Sequence, residues 1–352
     1  MGNLSDIFRI FNIRSVFSVA ALAIALTGPA WGLPYSGLYV FGDSLADSGN
    51  NAILFDTVGG PRTTVPIVVG QNGVNAQYVP TYPYTPSNNY SNGPVWSQQF
   101  AQMAGFSATP SLAGGNNYAF GGARISSTSP SFPVSLPGQV ALFLGIHPTA
   151  PGDALYIIEG GGNDVRDAFA AVAGGGSASA IINAYITNMV GMLTSLYNAG
   201  GRDFVVWNNA DLSVSPAIKS LNDPAAVTLA LNLTTTMNGQ LNTALDSVSL
   251  NPGLVLTRFD IFGLVNQIVA NPANFGLTNA SDPCAVDPAC VGNATTASGY
   301  FFWDGIHPTT AADAIIARSL LAEIPEPNSL VLVLLGLFLL RCASWRVGTG
   351  RL

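Results

Sequence analysis

Serine, histidine and aspartate occur in this chain in an arrangement suited to nucleophilic catalysis. The run Leu38-Tyr39-Val40-Phe41-Gly42-Asp43-Ser44-Leu45 is an apolar strand candidate that ends in glycine, aspartate and serine, which puts Ser44 at a strand tip. A serine hydroxyl is a poor nucleophile at neutral pH and needs a base within hydrogen-bond reach, itself oriented by a third group. The sequence holds two histidines in identical pentapeptides, Gly145-Ile146-His147-Pro148-Thr149 and Gly305-Ile306-His307-Pro308-Thr309. The residue three positions before the histidine separates them, being Leu144 in one case and Asp304 in the other. One turn brings Asp304 against the Nδ1–H of His307 and leaves Nε2 to take the proton of Ser44. His147 reads as a loop or helix-capping residue.

Acyl transfer also needs donors aimed at the developing oxyanion, each worth about 3 kcal/mol. The candidates are the backbone N–H of Ser44, the backbone N–H of Gly122 and the side-chain amide of Asn163. Gly122 lies in Asn117-Tyr118-Ala119-Phe120-Gly121-Gly122-Ala123, where the paired glycines let the backbone approach a ligand closely. Asn163 lies in Ile157-Ile158-Glu159-Gly160-Gly161-Gly162-Asn163-Asp164, again after an apolar run. Singly, each group has a plainer reading: Asp43-Ser44 as a helix cap, Gly121-Gly122 and Asn163-Asp164 as turns, Asp304 as a surface acid. Their joint, ordered occurrence at the ends of strand candidates favours catalysis. The Gly-x-Ser-x-Gly elbow of ordinary α/β-hydrolases does not occur in the sequence.

Positioning these groups requires a scaffold whose strand ends converge. Short bounded apolar runs at 38–41, 154–158, 204–207 and 254–256 read as buried strands, and longer Ala- and Leu-rich stretches at 178–198, 225–248 and 311–322 read as helices. This alternation predicts an α/β domain with a parallel sheet covered on both faces, which binds ligands at the carboxyl ends of its strands. The stretch 58–92, rich in Gly, Pro, Asn, Thr and Tyr, reads as a long surface insertion on the substrate side, and 174–176 as a glycine hinge. No internal repeat indicates a solenoid.

Of the 352 residues 48% are hydrophobic and 9% charged, which supports a packed core and excludes intrinsic disorder. A net charge of -7, with Lys219 the single lysine, excludes nucleic-acid binding through a basic surface. Three cysteines and two histidines, with no Cys-x-x-Cys or His-Glu-x-x-His spacing, give no metal site.

Both ends lie outside the expected fold. Residues 1–30 carry Arg9 and Arg14, an apolar run over 16–26 and the small-residue exit Thr27-Gly28-Pro29-Ala30, the anatomy of a secretory signal peptide. After Ile324-Pro325-Glu326-Pro327-Asn328 comes an apolar run that, extended over 328–345, reaches about 27 Å as a helix and is followed by basic residues. Removing Asp6 and Glu326 together with Arg9, Arg14, Arg341, Arg346 and Arg351 leaves an acidic body near -10. Cys284 and Cys290 are then its two cysteines, expected to pair in an oxidising compartment.

Two families are recognisable in these residues. Phe41-Gly42-Asp43-Ser44-Leu45-Ala46-Asp47-Ser48-Gly49-Asn50, with Ser91-Asn92-Gly93-Pro94-Val95-Trp96, the 117–123 and 161–164 segments and Asp304-Gly305-Ile306-His307-Pro308, resembles the GDSL lipases and esterases, or SGNH hydrolases, over about 38–321. The resemblance implies a flavodoxin-like three-layer α/β/α sandwich with a central parallel sheet. It also implies Ser44 as nucleophile, Gly122 and Asn163 completing the oxyanion hole, His307 as base and Asp304 as its orienting acid, with no cofactor or metal. The Pro-Glu-Pro, apolar and arginine order of 324–352 resembles a PEP-CTERM sorting tail, which implies an exosortase as partner and the surface of a Gram-negative bacterium as location; a plain membrane anchor is the alternative.

The chain therefore reads as three parts: a signal peptide at 1–30, a hydrolase domain at 31–323 and a sorting or anchor segment at 324–352. The function expected of it is that of an exported serine ester hydrolase acting on lipid or short-chain acyl esters. The alternatives are a polysaccharide O-acetylesterase, and a non-catalytic surface or biofilm-matrix protein that retains the fold.

Overall fold

The computed structural model describes residues 33–129 and 131–324. The signal peptide expected at 1–30 and the span expected at 328–345 lie outside the described residues. Four parallel strands, β1 (Leu38–Phe41), β2 (Leu155–Ile158), β3 (Asp203–Trp207) and β4 (Val255–Phe259), pair in the order β1-β2-β3-β4. A fifth extended segment runs along the other edge of β1. There Val40 N–H donates to Asn116 O (3.1 Å), Tyr118 N–H to Val40 O (2.7 Å) and Phe120 N–H to Gly42 O (3.2 Å). Counted second in chain order, this segment gives the 2-1-3-4-5 sequence of a flavodoxin-like sheet.

The sheet is buried on both faces because its strands are apolar on both. In β2, Tyr156 and Ile158 pack with one cluster while Leu155 and Ile157 pack with another, the period-two division of a pleated strand. The helices of two turns or more, in chain order, are α1 (Asn50–Thr57), α2 (Trp96–Met103), α3 (Leu136–Ile146), α4 (Gly162–Ala173), α5 (Ser179–Ala199), α6 (Pro224–Val248), α7 (Ile261–Ala270) and α8 (Thr310–Glu323). Phe143 of α3, Tyr185 and Met189 of α5 and Met237 of α6 cover one face. Trp96 and Phe100 of α2, Val265 of α7 and Ile316 and Leu320 of α8 cover the other. The result is a three-layer α/β/α sandwich.

The helices expected at 178–198, 225–248 and 311–322 are α5, α6 and α8. Their ends are written locally. Asp223 caps α6 by accepting from Ala225 N–H ahead of Pro224, Thr309 caps α8 by accepting from Ala312 N–H, and Gly200 at φ 123° ends α5. The last strand runs on to Phe259 beyond the expected 254–256, because β4 is an edge strand whose Thr257 and Arg258 are half-buried and break the apolar run. Gly174 to Gly176 form the turn that stops α4 before α5, with Gly175 at φ 82°, so the expected hinge is a helix terminator.

The 58–92 stretch is not simply a surface insertion. Ile67, Val74 and Tyr84 are buried in a third cluster with Cys284, Cys290 and Trp303, and Cys284 and Cys290 form the expected disulfide. Apolar side chains spaced too irregularly to mark an element still pull this segment onto the body.

Phe143 is fully buried and meets the rings of Tyr39, Phe41, Tyr118 and Tyr156 at 4.7 to 5.9 Å. Phe143→Ala is expected to lower stability by about 3–5 kcal/mol in urea unfolding, and a loss below about 1 kcal/mol would contradict this packing.

Candidate active site

The site begins where β1 ends. After Phe41 the chain turns over Gly42 to Asp47, closed by Ala46 N–H and Asp47 N–H donating to Asp43 O at 3.2 and 3.0 Å. Gln139 pins the start of this turn, accepting from Gly42 N–H (2.9 Å) and donating to Gly42 O (2.8 Å). Asp47, buried, accepts four backbone N–H bonds: Gly49 and Asn50 at 2.9 and 2.7 Å on one oxygen, Asn51 and Gly121 at 3.2 and 2.9 Å on the other. One carboxylate thereby fixes the turn that carries Ser44, the start of α1 and the glycine turn after the 116–120 segment. Burial pushes Asp47 up to about 6 against the pull of these donors.

The two adjacent glycines have different duties. Gly121 N–H is consumed by Asp47, and a Cβ there would lie 2.2 Å from the Tyr90 ring. Gly122, at φ 83°, and Ser44 both have backbone N–H groups that donate to no protein acceptor among the described residues. Both line one cleft of about 250 Å³ together with Asn163 and His307. Asn163, in the first turn of α4, donates from Nδ2 to Ala123 O (3.0 Å) and, more weakly, to Asp43 Oδ2 (3.3 Å).

From the far end of the chain comes the turn before α8. His307 Nε2 lies 2.8 Å from Ser44 Oγ, and His307 Nδ1 lies 2.7 Å from Asp304 Oδ2. Asp304 is fully buried and saturated: Oδ1 accepts from the Ile306 and His307 N–H groups at 2.9 Å each, and Oδ2 also accepts from Tyr84 Oη at 2.8 Å. Burial and the Asp304 charge push the Tyr84 hydroxyl well above its ordinary value, which keeps it a donor. The ring of Tyr90 lies 5.3 Å from that of His307. His147, by contrast, is the C-cap residue of α3, stacked on Phe143 at 4.8 Å and beside Tyr39 at 5.5 Å. The structure does not bring it to Ser44.

Ser44, Gly122, Asn163, Asp304 and His307, singled out in the sequence, thus converge. Several partners were not legible there. Tyr84 lay in the segment read as a surface insertion. Glu159, directly after β2, accepts from Asp43 N–H at 3.3 Å and is pushed well above the carboxylate range by burial and by the nearby Asp43 charge. Its position between a strand and three glycines was the one available signal. Arg166 lines the cleft and also a second, apolar cavity of about 90 Å³ that shares Ser44.

Against this geometry the comparisons with known proteins are decisive. The description of the GDSL-like Lipase/Acylhydrolase family matches residues 38–320. The chain belongs to that family. Two GDSL esterase/lipases of Arabidopsis thaliana are similar to it, one 25% identical over 81% of this chain and 88% of the relative, the other 26% identical over 86% and 93%. Esterase EstA of Pseudomonas aeruginosa is 28% identical over 91% of this chain and 52% of its own length. This GDSL chain is accordingly an ester hydrolase.

Burial pushes the Asp43 carboxyl from 3.8 up to about 6, opposed by the Leu45 N–H bond and by His307. A carboxyl raised on folding stabilises the fold fully below its unfolded value, and that contribution is lost as pH rises through about 6. Asp43→Asn should therefore show a smaller fall in Tm between about pH 4.5 and 7 than the wild type. Equal falls measured by calorimetry would contradict the assignment.

Proposed function

We propose that the chain is an exported serine ester hydrolase working through an acyl-serine intermediate. The observation that carries this reading is the continuous relay of 2.7 and 2.8 Å from Asp304 through His307 to Ser44. Ser44 Oγ attacks the ester carbonyl while His307 Nε2 takes its proton, and Asp304 holds the tautomer and stabilises the imidazolium. The N–H groups of Ser44 and Gly122 receive the oxyanion, joined by the amide of Asn163 when it exchanges its weak 3.3 Å bond to Asp43 for the substrate. His307 then protonates the leaving alcohol, and water, deprotonated by the same histidine, releases the acid.

Export rests on the 1–30 signal-peptide pattern, which leaves 31–323 as the hydrolase domain. The 324–352 segment, with its apolar stretch at 328–345, would hold the chain at the membrane until an exosortase processes it at the bacterial surface, as the PEP-CTERM resemblance implies. The apolar cavity beside Ser44, walled by Trp96, Trp207, Val265 and Phe301, favours acyl chains longer than acetyl and so ranks lipid-type esters above acetylated polysaccharide.

Turnover of p-nitrophenyl acetate, butyrate and palmitate tests this reading. Ser44→Ala is expected to lower kcat by about 10³-fold or more with an unchanged circular dichroism spectrum, and His147→Ala to retain kcat within about twofold. A fully active Ser44→Ala protein, or equal losses in His147→Ala and His307→Ala, would overturn it.

A further inference from the structure

Two cavities meet at Ser44. The polar cleft contains His307, Gly122, Thr81, Tyr90 and Arg124; the apolar cavity contains Trp96, Trp207, Leu212, Ile261 and Phe301. Four residues line both, namely Ser44, Asn163, Arg166 and Ile306. The reacting hydroxyl therefore stands on the boundary, and an arginine stands there with it.

The polarity of the boundary follows from the proton path. His307 must protonate the departing alcohol, and it lines only the polar cleft. An ester at Ser44 thus places its alcohol in the polar cleft and its acyl chain in the apolar cavity.

Arg166 has no assigned partner in this arrangement. It sits three residues after Asn163 on α4, so the two side chains share a helix face. It is half-buried, and among the described residues it makes no hydrogen bond or salt bridge. The neighbouring Arg124 differs: its guanidinium forms a two-pronged pair with Asp167 and donates to Gly122 O at 2.8 Å. Asp167 is thereby taken, and Asp304 is saturated by His307, Tyr84 and two backbone N–H groups. Loss of solvent and the proximity of Arg124 outweigh the pull of Asp167, Asp304 and Asp43, so the net effect disfavours charge on Arg166. A guanidinium nevertheless stays protonated in proteins, so its unpaired charge is relieved by binding an anion. In a chain with 12 basic side chains and a net charge of -7, two arginines in one cleft run against the overall composition.

We propose that Arg166 binds an anionic group, phosphate or carboxylate, carried on the alcohol part of the ester, so that the substrate is an amphipathic acyl ester with an acidic head. This deepens the serine-hydrolase reading and rests on it. A planar guanidinium fork engages either oxyanion with two parallel bonds, and the apolar cavity receives the tail.

The test compares kcat/KM for 1-octanoylglycerol, 1-octanoylglycerol 3-phosphate and octanoyl-glycerate in the full-length wild type, Arg166→Gln and Arg166→Lys. The wild type is expected to favour the anionic esters by about tenfold or more, Arg166→Gln to bring that ratio near one, and Arg166→Lys to keep part of it. Preference for both anions identifies charge as the recognised feature, and preference for one of them identifies the head group. A wild-type ratio near one, or the same ratio in Arg166→Gln, overturns the proposal. Calorimetric binding of octyl phosphate to the Ser44→Ala protein, with and without Arg166→Gln, separates the two readings. Binding that depends on Arg166 in a protein whose wild type hydrolyses no ester sustains the anion site and removes the hydrolase reading. Ester turnover by the wild type with octyl phosphate binding indifferent to Arg166 does the reverse.

Discussion

The contact on which this molecule turns is the 2.8 Å hydrogen bond between His307 Nε2 and Ser44 Oγ, which joins residues 263 positions apart. A contact of that sequence separation exists only if both ends are held by structure that does not depend on it. On the serine side the clasp is Asp47, whose four backbone N–H bonds lock the turn after β1 to α1 and to Gly121. On the histidine side the clasp is Asp304, which orients the imidazole and at the same time folds its own turn by accepting the Ile306 and His307 N–H groups. The parallel sheet supplies the common frame, since the exits of β1, β2 and the 116–120 segment all open at its carboxyl edge.

Buried acids surround this contact, and their arrangement limits the negative charge there. Glu159 is buried and accepts from the Asp43 backbone N–H, and burial and the Asp43 charge together favour its neutral form. Arg124 absorbs the charge of Asp167, and Tyr84 shares that of Asp304. The free N–H groups of Ser44 and Gly122 thus lie where Glu159 adds no full charge and those of Asp167 and Asp304 are shared with partners, leaving Asp43 as the nearby carboxylate, a setting that would favour charge developing on a bound substrate.

How much of this was legible depended on the range of the interactions involved. The strand tip carrying Ser44, the Asp304–His307 turn and the α5, α6 and α8 helices are set by local patterns, and the sequence alone located them. Gly121 and Gly122 were inseparable in sequence, because their difference is a hydrogen bond to Asp47, 74 positions from Gly121. Tyr84 was invisible for the same reason, since its partner lies 220 positions away and its own segment has no periodicity. The shorter helices α1, α2, α3, α4 and α7 were also missed, because each has too few turns for a helical period to stand out in sequence and draws its stability from packing.

In the proposed mechanism Ser44 is a nucleophile activated by His307. Incubation of the full-length protein with a fluorophosphonate, followed by peptide mass spectrometry, tests it most directly. A single phosphonyl adduct on Ser44 is expected in the wild type, with adduct formation slowed by about 10³-fold in His307→Ala. An unlabelled Ser44 in the folded wild-type protein, or labelling at the same rate without His307, would contradict it.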